Sequence, residues 1–173
     1  MELQPSETSA CIVRRAEDAD LSAIVGIYND VVLNSTATFD LEPWTPQQQG
    51  QWLTDHRHPY AALVAIDGSE VVGFATLSPF RSRPAYRFTA EDSLYVRADY
   101  QRKGIGALLL ASLLDVAARN GFHSVIARIT GDNPASLRLH RRLGFRRVGV
   151  EREVGYKFER WVDVVTMQKI LAG

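Results

Sequence analysis

Gln101-Arg102-Lys103-Gly104-Ile105-Gly106 lies between a short apolar run, Leu94-Tyr95-Val96, and a strongly amphipathic segment that begins at Ile105. A strand that passes through a glycine-bearing turn straight into a helix restricts the fold more than any other stretch of this chain. The first N–H groups of a helix have no intrahelical partners, and glycines let a ligand approach the backbone. Such a turn is an anion site suited to a pyrophosphate. Glycines alone describe a plain tight turn equally well. Two familiar phosphate motifs do not fit: a dinucleotide fingerprint needs a third glycine where Leu109 stands, and a P-loop needs Gly-Lys-Ser/Thr after a four-residue gap.

The neighbouring segments predict a mixed α/β chain. Cys11–Arg15 is a short strand, and Leu21, Ile24, Val25, Tyr28, Val31 and Val32 recur at helical spacing after Asp18 and Asp20. Thr45-Pro46-Gln47-Gln48 predicts a capped helix start, with the helix running to about Arg57. Ala61–Ile66 and Val71–Leu77 form a hairpin around Asp67-Gly68-Ser69-Glu70, and Ser78–Ala90 is expected as a long loop. The helix from Ile105 stops at Asn120-Gly121, Ser124–Ile129 is a strand, and Asn133-Pro134 caps a helix reaching Leu143. Phe145–Gln168 predicts two strands around a turn near Tyr156–Arg160. The order β-α-α-β-β-β-α-β-α-β-β implies a central sheet with helices on both faces.

The 173 residues make one domain, expected over 11–173 after a flexible N-terminus, residues 1–10. Lys plus Arg equals Asp plus Glu at 20 each, which argues against a nucleic-acid or membrane-surface binder. No apolar run approaches the ~20 residues that cross a bilayer. Met1–Ala10 lacks the order of a signal peptide, and the single Cys11 allows no internal disulfide and no cysteine-rich metal site. A cytoplasmic location is expected, with no metal. His56-Arg57-His58 is a poor metal site, having no carboxylate or Cys partner nearby, and Trp44, Trp52 and Trp161 read as packing residues.

The turn fits the pattern Q/R-x-x-G-x-G/A, and Asn133-x-x-Ser136-x-x-x-His140-x-x-x-Gly144-Phe145 follows downstream. Together they resemble the GCN5-related N-acetyltransferases (GNAT family). Ile27-Tyr28-Asn29, Ser35-Thr36-Ala37-Thr38-Phe39, Arg83-x-Ala85-Tyr86, Thr89 to Val96, and Val154 to Phe158 with Arg160-Trp161-x-Asp163 resemble its phosphinothricin and methionine sulfoximine acetyltransferases. Glu159 departs from that pattern, standing where Gly is expected, which bears on substrate preference.

The resemblance implies a single-domain fold whose mostly antiparallel, twisted sheet splits around acetyl-CoA. The cofactor's pyrophosphate is expected on the turn formed by Gln101, Arg102, Lys103, Gly104, Ile105 and Gly106. Its pantetheine arm is expected along the backbone of Leu94, Tyr95 and Val96, a strand that carries a bulge in the family, with the amide near Val96 polarising the thioester. Asn133 and Ser136 complete the cofactor set. Acetyl transfer to an amine needs a base for the ammonium proton and a proton for the leaving thiolate. Glu91 is the expected base and His140 the expected donor. Phe39, Phe80, Arg81, Arg83, Tyr86 and Thr89 are the expected substrate pocket, the arginines holding a carboxylate or phosphinate. Arg138, Arg141, Arg142, Arg146 and Arg147 make a solvated face or meet the cofactor's 3′-phosphate.

The implied reaction is transfer of acetyl to the α-amino group of a small amino acid by direct attack, in a homodimer. A polyamine acceptor fits poorly, because residues 81–87 hold three Arg and no carboxylate. A peptide acceptor and a non-catalytic acyl-CoA-binding module remain as alternatives.

Overall fold

The computed structural model describes residues 11–171, so the expected N-terminal segment, residues 1–10, lies outside the described residues. The elements follow the predicted order: β1 Ile12–Arg15, α1 Leu21–Asn34, α2 Pro46–Asp55, β2 Ala61–Asp67, β3 Glu70–Pro79, β4 Thr89–Val96, α3 Ile105–Arg119, β5 Ser124–Thr130, α4 Pro134–Arg142, β6 Arg146–Lys157 and β7 Arg160–Ile170. They build a seven-stranded sheet in the order β1-β2-β3-β4-β5-β7-β6. Every pairing is antiparallel except that of β4 with β5. No described helix is long and apolar enough to cross a membrane.

Local signals act where the sequence places them. Thr45 caps α2, its hydroxyl accepting from the Gln48 N–H while Gln48 Oε1 accepts from the Thr45 N–H at 2.8 Å. The two-residue turn Gly68-Ser69 closes the β2–β3 hairpin. Two boundaries differ from expectation. β4 starts at Thr89 instead of Leu94, because the polar triplet Glu91-Asp92-Ser93 breaks the apolar run but is still laddered to Ser78, Leu77 and Thr76 of β3. The loop between those strands is shortened accordingly and contains a 3-10 turn at Pro84–Tyr86.

The parallel pairing of β4 and β5 runs only from Thr89↔Ser124 to Asp92↔Ala127. Beyond it β4 continues beside β3 and β5 beside β7, so the two strands part and open a cleft through the sheet. The bulge expected in Leu94–Val96 is absent: β3 and β4 stay in register from Gly73↔Val96 to Pro79↔Ala90. Divergence from β5 already exposes this edge, so no bulge is required. The register shifts lie in the β2–β3 and β6–β7 ladders.

Each face of the sheet carries its own core. Leu109, Leu110 and Leu113 of α3 are fully buried against Ala75, Leu77 and Val125. On the other face α1 and α2 bring Ile24, Tyr28 and Trp52 onto Val64 and Phe74. Tyr28, Trp44, Trp52, Phe74 and Tyr95 form one aromatic cluster with centroids 4.3–6.5 Å apart, so Trp44 and Trp52 pack as expected. Trp161 does not: it is 61% exposed and faces its cross-strand neighbour Tyr156 on the open side of the β6–β7 hairpin.

That hairpin turns through Phe158 and Glu159, with φ of 51° and 58°. Two successive left-handed residues are the geometry that usually selects Asn-Gly. A side chain in this region costs about 1–2 kcal/mol, and glycine's extra freedom in the unfolded chain returns about 0.4–1 kcal/mol. Glu159→Gly is therefore expected to stabilise the fold by about 0.5–1 kcal/mol. Urea unfolding checks it, and an unchanged or lower midpoint at equal slope would show a relaxed turn.

Candidate active site

Side chains alternate between the two faces of a strand, and β4 exploits this at the mouth of the cleft. Ala90, Leu94 and Val96 join the α3 core while Tyr95 joins the aromatic core under α1. By the same alternation Asp92 points to the α3–α4 face and Glu91 to the α1–α2 face. Both border a cavity between the parted strands, together with Ala127, Thr130, Asn133, Ser136 and His140.

Glu91 is half-buried, and burial raises its carboxyl above the usual 4.5. The charges of Asp92 and Glu151 push the same way, whereas Arg128 and Arg81 oppose them. Arg128 itself is bonded to Glu151 at 2.8 Å. Tyr95 is pushed up to about 12 by burial, so its phenol stays neutral and is no base at physiological pH. A carboxyl held above its ordinary range beside a cleft is suited to accept a proton near neutrality.

His140 lies across the cleft and is 2% exposed, as is its partner. Its Nε2 is 3.0 Å from Asp92 Oδ2, and its Nδ1 is 2.8 Å from the Ser136 carbonyl and 3.3 Å from Ser136 Oγ. Burial works against the charged ring, but the hydrogen bond and charge of Asp92 outweigh it and raise His140 above 6.5. The Phe145 ring closes the site edge-on at 4.9 Å.

A groove runs from this cavity to the start of α3. Leu94, Val96, Gln101, Arg102, Gly104, Gly106, Asn133 and Ser136 all line it, with Arg138 and Arg142 on its far wall. Gly104, at φ 84°, occupies the N-cap of α3 with no side-chain cap, so the first N–H groups of the helix are open to a ligand. Gln101 Nε2 donates to the Val96 carbonyl at 3.2 Å and ties the turn to β4. Three expected members stand apart from the groove wall. Tyr95 packs in the aromatic core on the other face, Ile105 is buried in the core, and the Lys103 ammonium lies over the Tyr100 ring. Asn133 caps α4 by accepting from the Ser136 N–H at 3.1 Å and still borders cavity and groove.

The expected acceptor residues divide into two groups. Arg81, Arg83 and Tyr86 line one hollow; Phe80 meets Tyr86 edge-on at 5.4 Å, and the Arg81 guanidinium lies over both rings. Thr89 begins β4 beside them. Phe39 is held elsewhere, on Gly155 of β6, where an added Cβ would lie 2.3 Å from the ring. Its segment is tied down twice more. The buried Lys157 donates to the Thr38 carbonyl at 2.9 Å, and Thr36 Oγ1 donates to Asp132, which also pairs with Arg160. Ala37, between these anchors, borders the cavity.

Asp92, Asp132, Gly155 and Lys157 were not singled out from sequence. Strand alternation after Glu91 is the one available signal, and it applies to Asp92 alone.

Residues 24–145 match the acetyltransferase (GNAT) family. The chain belongs to that family. It is 42% identical to a phosphinothricin N-acetyltransferase of Streptomyces coelicolor, over 95% of this chain and 98% of the relative. It is also 42% identical to an L-methionine sulfoximine/L-methionine sulfone acetyltransferase of Pseudomonas aeruginosa, over 90% of this chain and 92% of the relative. A phosphinothricin acetyltransferase from Sinorhizobium meliloti, solved in complex with acetyl-CoA, superposes with a TM-score of 0.90 at 39% identity, covering 94% of this chain and 89% of that one. The mixed sheet opened by one short parallel pairing is thus the fold of this GNAT enzyme.

The seat of Phe39 yields a test. Gly155→Ala forces the ring out and, as an overpacked contact, is expected to cost about 1–3 kcal/mol in urea unfolding. A cost below about 0.5 kcal/mol, the scale of ordinary surface changes, would show that Phe39 is free to leave.

Proposed function

We propose that this enzyme transfers the acetyl group of acetyl-CoA to the α-amino group of a small glutamate-like amino acid or analogue, of the phosphinothricin, methionine sulfoximine or methionine sulfone type. The observation that carries the reading is the cleft itself, with a raised carboxyl on one face of the sheet and a phosphate-suited groove on the other. The groove's donor set fits the cofactor. Uncapped N–H groups at α3 suit a pyrophosphate, Arg102, Arg138 and Arg142 suit further phosphate charge, and the open β4 edge at Leu94–Val96 suits an amide-bearing arm. The bound cofactor supplies an activated acyl carbon.

The protein's residues do the rest. Arg81 and Arg83 hold the acceptor's acidic groups, and Phe80 and Tyr86 shape the aliphatic part. Glu91 takes a proton from the ammonium group, directly or through water, and the free amine attacks the thioester in a ternary complex. Cys11, one residue before β1 at the sheet edge, is far from the cleft in topology, so no acyl-cysteine is invoked. The relatives named above support the acceptor class. The chain is further proposed to act as a homodimer, for which the exposed Val154, Tyr156 and Trp161 on one side of the hairpin offer an apolar face.

Thiol release from acetyl-CoA with phosphinothricin, methionine sulfoximine, methionine sulfone, spermidine and a short peptide tests the reading. Fast turnover is expected with the first three alone. Tight acetyl-CoA binding without any turnover would favour a non-catalytic binding module, and turnover of spermidine or peptide alone would reassign the acceptor.

Glu91→Gln is expected to lower kcat/KM by about 10²–10⁴-fold. The base works deprotonated, so wild-type activity rises with pH through the raised Glu91 value, and the variant loses that rise. Full activity of the variant across pH would remove Glu91 from the role. Trp161→Arg is expected to yield monomers in light scattering, and an unchanged dimer mass would move the interface elsewhere.

A further inference from the structure

The contacts of His140 determine the direction in which its protons move. The Ser136 main-chain oxygen can only accept, so Nδ1, 2.8 Å away, carries a hydrogen. Nε2 therefore either donates to the Asp92 carboxylate or accepts from its acid form, and in both cases the pair shares one proton and is neutral overall. Ser136 Oγ, 3.3 Å from Nδ1, takes part of the same Nδ1 hydrogen, which leaves its own O–H free to point elsewhere. Ser136 borders both the cavity at the strand split and the cofactor groove. Asp92, His140 and Ser136 thus have the composition of a nucleophilic triad with the polarity reversed. An Nδ1 that donates cannot take the serine proton, so Ser136 is not activated as a nucleophile.

Building on the acetyl transfer proposed above, we propose that Asp92, His140 and Ser136 form a proton relay to the leaving thiolate, with the Ser136 hydroxyl touching the sulfur and Asp92 acting as a positioning residue. As the C–N bond forms and the C–S bond breaks, the bonding pair goes to sulfur. Sulfur takes the Ser136 hydroxyl proton, and Ser136 is refilled from His140 Nδ1. The acceptor nitrogen passes from three protons as ammonium to one as amide, releasing two by way of Glu91 to water. The relay regains one from water, so one proton is released per turnover. The emptied position is Nδ1, so that proton returns through the same Ser136 hydroxyl, from a water in the cavity that Ser136 borders, while Asp92 on Nε2 holds the ring in place.

The groups around the ring leave Asp92 as its electrostatic partner. Lys169 of β7 is committed to the Leu143 carbonyl at 2.6 Å. Arg138 and Arg141 lie on the exposed side of α4, and Glu91 and Arg128 belong to the opposite face of the sheet. Without the Asp92 charge, burial, the largest of the effects, is opposed by the Ser136 carbonyl alone, and the proton affinity of His140 falls.

The test compares wild type, Asp92→Asn, Ser136→Ala and Ser136→Thr with acetyl-CoA and methionine sulfone across pH, alongside NMR titration of the His140 ring in the protein without substrates. The wild-type kcat is expected to fall on the alkaline side as His140 loses its proton. In Asp92→Asn that fall, and the NMR titration of His140, are expected to move down by about one pH unit or more. Its kcat at pH 8 is expected to drop about 10- to 100-fold, with KM for acetyl-CoA changed less than about 3-fold. Ser136→Ala is expected to lose kcat similarly while the His140 titration stays in place, and Ser136→Thr, which keeps the hydroxyl, to retain most of it. Should Asp92→Asn fail to fold, the Ser136 pair carries the test. An unmoved alkaline limb and His140 titration in Asp92→Asn, or full kcat in Ser136→Ala, overturns the relay. Absence of wild-type turnover with every amine overturns the function on which the relay rests, whereas a normal wild-type rate with unaltered variants overturns the relay alone.

Discussion

The parallel pairing of β4 with β5 stops after Asp92↔Ala127, and the rest of the site depends on that stop. A sheet satisfies its backbone by continuing its ladders, so a strand edge released inside the sheet is a demand for other partners. Here β4 remains bound to β3 on one side for four more residues while its other edge faces the cleft. Extended groups with alternating amide donors and acceptors meet this demand, as a further strand would. The cleft therefore selects a long, amide-bearing ligand before any side chain is considered.

The same stop gives two adjacent carboxylates different chemistry. Glu91 and Asp92 are consecutive, and the pleat sends them to opposite faces. Glu91 meets a partly open environment where burial raises it and the nearby arginines and carboxylates act in opposite directions. Asp92 is 2% exposed and bonded to an imidazole, so its charge serves another group. One carboxylate stands half-open with its proton affinity raised while the other is paired with a buried ring, and both reach the same cavity because the sheet is open between them.

Much of this arrangement was legible in the sequence, and what was hidden has a physical reason. Elements with strong local signals appeared where expected: the Thr45–Gln48 cap, the Gly68-Ser69 hairpin and the glycine turn before α3. The beginning of β4 was missed because strand prediction rests on apolar runs, and Glu91-Asp92-Ser93 is polar for the sake of the site. Glu91 and His140 came from motif resemblance, and their placement at the cleft is a matter of topology. Asp92 lies 48 residues from His140 along the chain, Thr36 lies 96 from Asp132 and Thr38 lies 119 from Lys157. Contacts at such separations leave no local pattern. Trp161, expected as a packing residue, is exposed because it lies on an unpartnered strand face, where the usual burial of Trp does not apply.

Those distant contacts also set one wall of the cavity at the strand split. The segment from Thr36 to Phe39 has no regular structure of its own, and its position is imposed by Asp132 at the start of the α4 turn and by Gly155, Lys157 and Arg160 of the last hairpin. A buried lysine spent on a main-chain carbonyl is costly, since burial lowers its proton affinity and Asp40 restores only part of it. Such an expense is consistent with a need for position instead of stability. One wall of the cavity at the strand split, at Ala37, is consequently set by the end of the chain acting on an early segment. Changes in the hairpin can therefore redirect Phe39 and Ala37, and with them the shape of the cavity that Glu91 borders.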